Sequence, residues 1–90
     1  MKKKTIEHAA SVVKEIKAET NESVIKYYEM PRLCNMETAE ETGFAVIMTL
    51  STKYNYTSTI LDRWKERLCA EDYIITVRHN QLKVRFNVMF

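Results

Sequence analysis

A chain of 90 residues, 46% hydrophobic and 29% charged, has the composition of a folded globule, and we expect a single small domain over residues 1–90. Its one glycine and one proline exclude collagen-like and low-complexity classes and leave no glycine-rich loop to hold a phosphate. The net charge of +2 is too small to imply a polyanionic partner, although residues 51–90 hold seven basic and four acidic groups, against seven and eight in residues 1–50.

The first predicted element is a long amphipathic helix over residues 5–28, with Thr5 as its N-cap. Its apolar residues recur at intervals of three and four: Ile6, Ala9, Ala10, Val13, Ile16, Val24, Tyr27 and Tyr28. Residues 20–23 have middling or poor helix propensity, so we expect a kink or a restart there. Pro31 ends this element, because the residue before a proline is pushed out of the helical region.

A loop is predicted from Pro31 to Asn35, followed by one or two helical turns. Residues 38–41 read Thr-Ala-Glu-Glu, which fits the capping-box pattern, and Gly43 suits the left-handed position after a helix. Residues 44–50 form a short, almost wholly apolar run bounded by turn residues, which indicates a strand with both faces partly buried.

A second helix is predicted over residues 58–70, capped by Thr57 or Ser58. Its apolar stripe consists of Ile60, Leu61, Trp64 and Leu68. The chain then ends in a predicted β-hairpin with a two-residue turn at His79 and Asn80. This turn pairs Val77 with Leu82, Ile75 with Val84 and Tyr73 with Phe86, which places all six residues on one apolar face.

The predicted fold class is α+β, with two layers and the element order α-β-α-β-β. Two helices pack on one face of a three-stranded mixed sheet that ends in the hairpin. A right-handed strand–helix–strand crossover makes strand 44–50 parallel to strand 73–78. In this sheet strand 44–50 is an edge in either strand order, and the overhang 87–90 pairs with it if the order is 1-3-2.

An uncharged apolar strand at a sheet edge invites pairing with another chain. We therefore predict that the chain binds a protein partner or a second copy of itself, as a homodimer or by β-augmentation. The residues assigned to this contact lie in the strand and in the tail: Phe44, Val46, Ile47, Met48, Val88 and Phe90. The structural alternative is that the loop 30–43 or the first helix covers the edge.

The alternative function is nucleic-acid binding by the basic hairpin and the helix before it. The assigned residues are two rings for base stacking and five cations for phosphates: Tyr54, Tyr56, Arg63, Arg67, Arg78, Lys83 and Arg85. A helix followed directly by a hairpin resembles the end of a winged-helix domain, in which the hairpin touches the nucleic-acid backbone. The chain departs from that fold because it has one helix, not two, between the first strand and the hairpin. Lysine and arginine are also common on the polar faces of ordinary hairpins.

No catalytic or metal site is predicted. The four candidate soft ligands lack the paired spacing of a zinc site: His8, Cys34, Cys69 and His79. We therefore expect a non-enzymatic regulator or inhibitor that acts by surface occupation, without a cofactor, and resembles small virus- or phage-encoded proteins in character. No stretch approaches the length of a membrane span, and charged residues interrupt any signal-peptide core, so we expect a cytoplasmic protein with reduced cysteines.

Overall fold

The computed structural model describes residues 4–20, 24–51 and 56–90. The elements in chain order are α1 (Ile6–Glu19), β1 (Ile25–Glu29), β2 (Arg32–Cys34), β3 (Glu41–Leu50), α2 (Ser58–Arg67), β4 (Asp72–Arg78) and β5 (Gln81–Met89). The strands form one antiparallel sheet in the order β1-β3-β5-β4, and β2 pairs with β3 beside β1. The α+β class is therefore confirmed, but the sheet is five-stranded and antiparallel, not three-stranded and mixed.

Helix α1 is shorter than the helix predicted from the sequence. Thr5 caps it as expected, because its Oγ1 accepts a hydrogen bond from the backbone N–H of His8 at 3.1 Å. The predicted continuation to residue 28 is wrong, since residues 25–29 form β1. Their β-branched and aromatic side chains suit a strand, and pairing with β3 decides the outcome. The expected kink at residues 20–23 falls mostly on residues 21–23, which lie outside the described residues.

The loop and short helix predicted between Pro31 and Gly43 are instead a hairpin that joins β2 to β3. The Asn35 backbone N–H donates to the Glu40 carbonyl oxygen, and the Asn35 Oδ1 accepts from the Glu37 N–H, both at 2.8 Å. A side chain that bonds to the backbone in this way competes with a helical turn. The capping-box sequence therefore closes a turn between two strands.

Gly43 lies inside β3, opposite Met89 of β5, and not after a helix. A Cβ atom at this position would lie 2.1 Å from the Val88 carbonyl oxygen. Only a residue without a side chain permits the two strands to approach so closely.

Strand β3 is the central strand of the sheet, which overturns its predicted edge position. β1 and β2 pair along one side of it, and β5 pairs along the other. The sequence prediction placed β1 in a helix and β2 in a loop, so it left that side of β3 empty. β3 and β4 do run in the same direction, as predicted, with β5 between them.

The core cluster joins both helices to one face of the sheet. From the helices and their ends it contains Ala9, Val12, Val13, Ile16, Leu61, Trp64 and Leu68, and at the start of β1 it contains Val24 and Ile25. From β3 and β5 it contains Phe44, Val46, Met48, Leu50, Val84, Phe86 and Val88. The members in β3 and β5 alternate along the chain, as expected for residues that share one sheet face. The opposite sheet face bears the intervening residues, and we call it the open face.

The C-terminal hairpin has the predicted turn and register. His79 and Asn80 have φ angles of 50° and 61°, the left-handed pair that a two-residue hairpin turn of the mirror-image type requires. All three predicted pairs, from Tyr73–Phe86 to Val77–Leu82, are present.

Within the described residues, no helix has the length and apolar character needed to cross a bilayer.

Candidate interaction surfaces

Most of the residues predicted to bind a partner lie in the core. Phe44, Val46, Met48 and Val88 are at most 1% exposed, because β3 is paired on both sides and these side chains join the core cluster. Ile47 is partly buried on the open face, and Phe90 is 64% exposed near the end of the chain. The structure therefore does not bring the six residues together on one accessible surface.

Of the two tyrosines predicted to stack on bases, only Tyr56 lies among the described residues. Tyr54 lies outside the described residues. The Tyr56 hydroxyl donates to the Ser51 carbonyl oxygen at 2.9 Å, and its ring packs edge-on against Trp64 with centroids 6.1 Å apart. Tyr56 thus ties the end of β3 to α2 and does not present a free ring.

Arg67 is held between the two helices. Its Nη2 donates to a carboxylate oxygen of Glu19 at 2.7 Å and to one of Glu15 at 3.0 Å. These contacts, led by the Glu19 hydrogen bond, raise the pKa of the Arg67 guanidinium above its ordinary value. Arg67 is therefore already paired, whereas Arg63 is exposed on α2.

Arg78, Lys83 and Arg85 lie together on the open face, as the hairpin register predicted. They line a groove of about 490 Å³ together with Ile47, Thr76, His79 and Gln81. The Nε of Arg85 donates to the Asn87 Oδ1 at 2.9 Å. Cations on three strand positions thus share one concave surface.

One polar residue at the centre of the open face is buried. Thr49 is paired with Tyr27 on one side and Lys83 on the other, and it is only 2% exposed. Its Oγ1 has no hydrogen-bond partner among the described residues. A buried hydroxyl without a partner lowers stability.

The edge formed by β1 and β2 carries features that discourage pairing with another strand. The register with β3 shifts between Ile25 and Tyr27, and Pro31 separates the two strands. Lys26 and Glu29 add exposed charges. Bulges, prolines and charges of this kind protect sheet edges in soluble proteins.

The opposite edge of the sheet is β4, and the residues in the middle of this strand include no proline and no charge. Between Asp72 and Arg78 run five uncharged residues, Tyr-Ile-Ile-Thr-Val. Ile74, Ile75 and Val77 are 56%, 50% and 67% exposed. β4 pairs with β5 on one side only among the described strands. An apolar, unpaired edge strand is a template for another strand.

The hairpin geometry defines which backbone groups of β4 are free. Arg78 and Gln81 flank a two-residue turn, so they form a hydrogen-bonded pair, and such pairs alternate with non-bonded ones along an antiparallel ladder. Tyr73, Ile75 and Val77 therefore direct their backbone N–H and C=O groups away from β5. Sequence reasoning missed this edge, although Ile74 gave a signal: it is apolar at a position where alternation predicts a polar residue.

The first half of β4 is anchored to the rest of the domain. The Tyr73 ring lies 5.8 Å from that of Phe86, and desolvation, followed by a hydrogen bond to Asp62 of α2, raises the pKa of Tyr73 above its ordinary value. Asp72 accepts a hydrogen bond from the Asn87 Nδ2 at 2.7 Å. The edge strand is thus held in place while its apolar residues stay exposed.

The described residues contain no group of three or more His, Cys, Asp and Glu side chains that could hold a metal ion. Cys34 is exposed, Cys69 is partly buried, and both are free thiols. No protein-family model, curated protein or solved structure matches this chain. What the domain does must therefore be inferred from its two surfaces, the β4 edge and the basic groove.

Proposed function

We propose that this chain is a non-enzymatic protein–protein interaction module that binds another strand along β4. One observation carries the proposal: no described strand pairs with the outer side of β4, which bears three exposed apolar side chains without an intervening charge. An added strand bonds to the free backbone groups of alternate residues and covers the apolar side chains. The module acts by occupying a surface, as a regulator or inhibitor does.

The expected strength of this contact follows from the exposed side chains. Full burial of an Ile or Val contributes about 1.5–3 kcal/mol, and Ile74, Ile75 and Val77 are each about half exposed. Covering the rest of each contributes at most about 1 kcal/mol, because a strand beside β4 covers only one flank of side chains that lie on both sheet faces, Ile74 on the open face and Ile75 and Val77 on the other. Backbone hydrogen bonds to Tyr73, Ile75 and Val77 add about 0.5–1.5 kcal/mol each.

The experiment compares two lysine substitutions of nearly equal exposure. Val77→Lys places a charge on the β4 edge, and Phe90→Lys places one on a similarly exposed apolar residue away from it. Extended peptides are selected from a displayed library on the unmodified chain and then measured by calorimetry. We expect Val77→Lys to weaken binding at least tenfold and Phe90→Lys to leave it unchanged. Equal loss in both variants, or loss in neither, contradicts the proposal.

A second candidate, nucleic-acid binding, is favoured by the convergence of Arg78, Lys83 and Arg85 on the groove of the open face. Three phosphate contacts on a single strand give a slope of about −2 for the logarithm of the binding constant against the logarithm of salt concentration. Fluorescence anisotropy with a single-stranded oligonucleotide measures this slope. Lys83→Glu with Arg85→Glu abolishes binding in this case, whereas Arg63→Glu, on α2, does not. Absence of binding at low salt removes the candidate.

A further inference from the structure

We infer that the strand added to β4 is β4 of a second copy of this chain, related to the first by a two-fold axis at Ile75. The inference deepens the proposed function and rests on it. The two copies form one continuous antiparallel sheet, and the partner is identified by the complementarity of β4 to itself.

The free backbone groups restrict how two copies of β4 can pair. Antiparallel pairing joins outward residues to outward residues, so Tyr73, Ile75 and Val77 must face one another across the axis. An axis at Ile75 pairs Ile75 with its copy and Tyr73 with Val77. This register uses the whole of β4 (Asp72–Arg78) in both copies. An axis at residue 74 or 76 leaves one end of each strand without a partner.

The charges at the two ends of β4 select the same register. Asp72 and Arg78 both lie on the open face, because their partners in β5 are Asn87 and Gln81. An axis at Ile75 sets Asp72 of each copy opposite Arg78 of the other, which gives two opposite-charge pairs. Opposite charges directly across two strands are stabilising, and like charges are destabilising.

The difference between the two sheet edges supports a closed dimer. The two-fold pairing uses both copies of the unprotected edge, β4. The outer edges of the joined sheet are then β1 and β2 of each copy, with their register shift and Pro31. These features resist the addition of further strands. A chain with one unprotected edge and one protected edge stops at a dimer, because pairing of the unprotected edges leaves only protected ones. A fibre grows only if both edges of each chain are unprotected.

Charge reversal tests the register by sedimentation velocity across a concentration series. Asp72→Arg creates two Arg–Arg pairs and Arg78→Asp creates two Asp–Asp pairs, and each variant raises the dissociation constant of the dimer about tenfold. The double variant restores dimerisation because both pairs are opposite in charge again. A mixture of the two single variants forms a heterodimer in preference to either homodimer. The double variant also controls for the lost Asp72–Asn87 hydrogen bond, since it lacks that bond too.

Cysteine cross-linking tests the position of the axis. In a background without native thiols, Cys34→Ser and Cys69→Ala, oxidised glutathione takes up the two electrons as a disulfide forms. Ile75→Cys cross-links to Ile75→Cys of the second copy, because the Cα atoms of a hydrogen-bonded pair lie about 5.5 Å apart, within the range that a disulfide spans. Tyr73→Cys alone does not, since the two copies of residue 73 are four residues apart, about 14 Å. A mixture of Tyr73→Cys chains and Val77→Cys chains does cross-link, because the register places these two residues opposite each other.

The outcomes separate the inference from the proposed function. A chain that stays monomeric at every concentration, while Val77→Lys still loses peptide binding, overturns self-pairing and leaves the module intact. A dimer that is indifferent to both charge reversals also overturns it. If neither self-association nor peptide binding depends on Val77, the proposed function fails with the inference.

Discussion

Substitution of Gly43 by alanine provides a demanding test of the pairing between β3 and β5. The new Cβ would lie 2.1 Å from the Val88 carbonyl oxygen, whereas ordinary contacts begin near 3.4 Å, so the backbones must separate by about 1.3 Å. Overpacking of a filled site costs about 1–3 kcal/mol. The φ angle of Gly43, 158°, is one that side chains rarely adopt, and this adds strain. We expect a loss of about 3 kcal/mol.

The size of this loss makes it measurable. A domain of 90 residues has a free energy of unfolding of roughly 5–13 kcal/mol. A loss of about 3 kcal/mol lowers Tm by about 12–24 °C, which circular dichroism resolves easily. Ala45→Gly, two residues along the same strand, is the control and costs only about 1 kcal/mol. If Gly43→Ala unfolds within about 0.5 kcal/mol of the unmodified chain, the close approach of β3 and β5 is refuted.

Three further predictions concern stability. Thr49→Val removes a buried hydroxyl that has no hydrogen-bond partner among the described residues, and we expect it to stabilise the fold by about 1 kcal/mol in urea titrations. A loss of stability would mean that the hydroxyl has a partner. Arg67→Met breaks the ion pairs with Glu15 and Glu19, and because solvent screens these charges we expect the free energy of unfolding to fall by only about 1 kcal/mol. High salt should abolish this difference between the variant and the unmodified chain. A difference that does not depend on salt contradicts an electrostatic origin. The raised pKa of Tyr73 contributes stability below pH 10 that is lost as pH rises through the folded-state value. Tyr73→Phe should therefore flatten the fall in stability above pH 10, and an unchanged fall assigns it to other tyrosines.

The hairpin and helix α2 were predictable from the sequence because each carries local and mutually consistent signals. The turn at His79 and Asn80 and the apolar alternation of its strands agree on one register. Thr57 caps α2 as expected, with its Oγ1 accepting from the Ile60 N–H at 3.3 Å. Local periodicity of this kind is the part of a sequence that reports most directly on structure.

β1 was not predictable in the same way. Val24, Tyr27 and Tyr28 match a helical stripe, and the same residues have high strand propensity, so periodicity does not decide between the two structures. Only pairing with β3 decides it, and that contact joins residues far apart in sequence. This error, together with the placing of β2 in a loop, moved β3 to an edge of the predicted sheet. The basic residues of the open face were predictable because they depend on the hairpin register alone.

The strand order has a consequence for how the chain folds. β5 comes after the other described strands in sequence but lies inside the sheet, where residue 89 pairs with residue 43 and residue 82 with residue 50. Pairings across such long separations slow folding, because a long loop must close before any contact forms. Until β5 is made, β3 can pair only with β1 and β2, and the other side of its backbone stays without the partner that it has in the finished sheet. During synthesis the centre of this sheet therefore forms late.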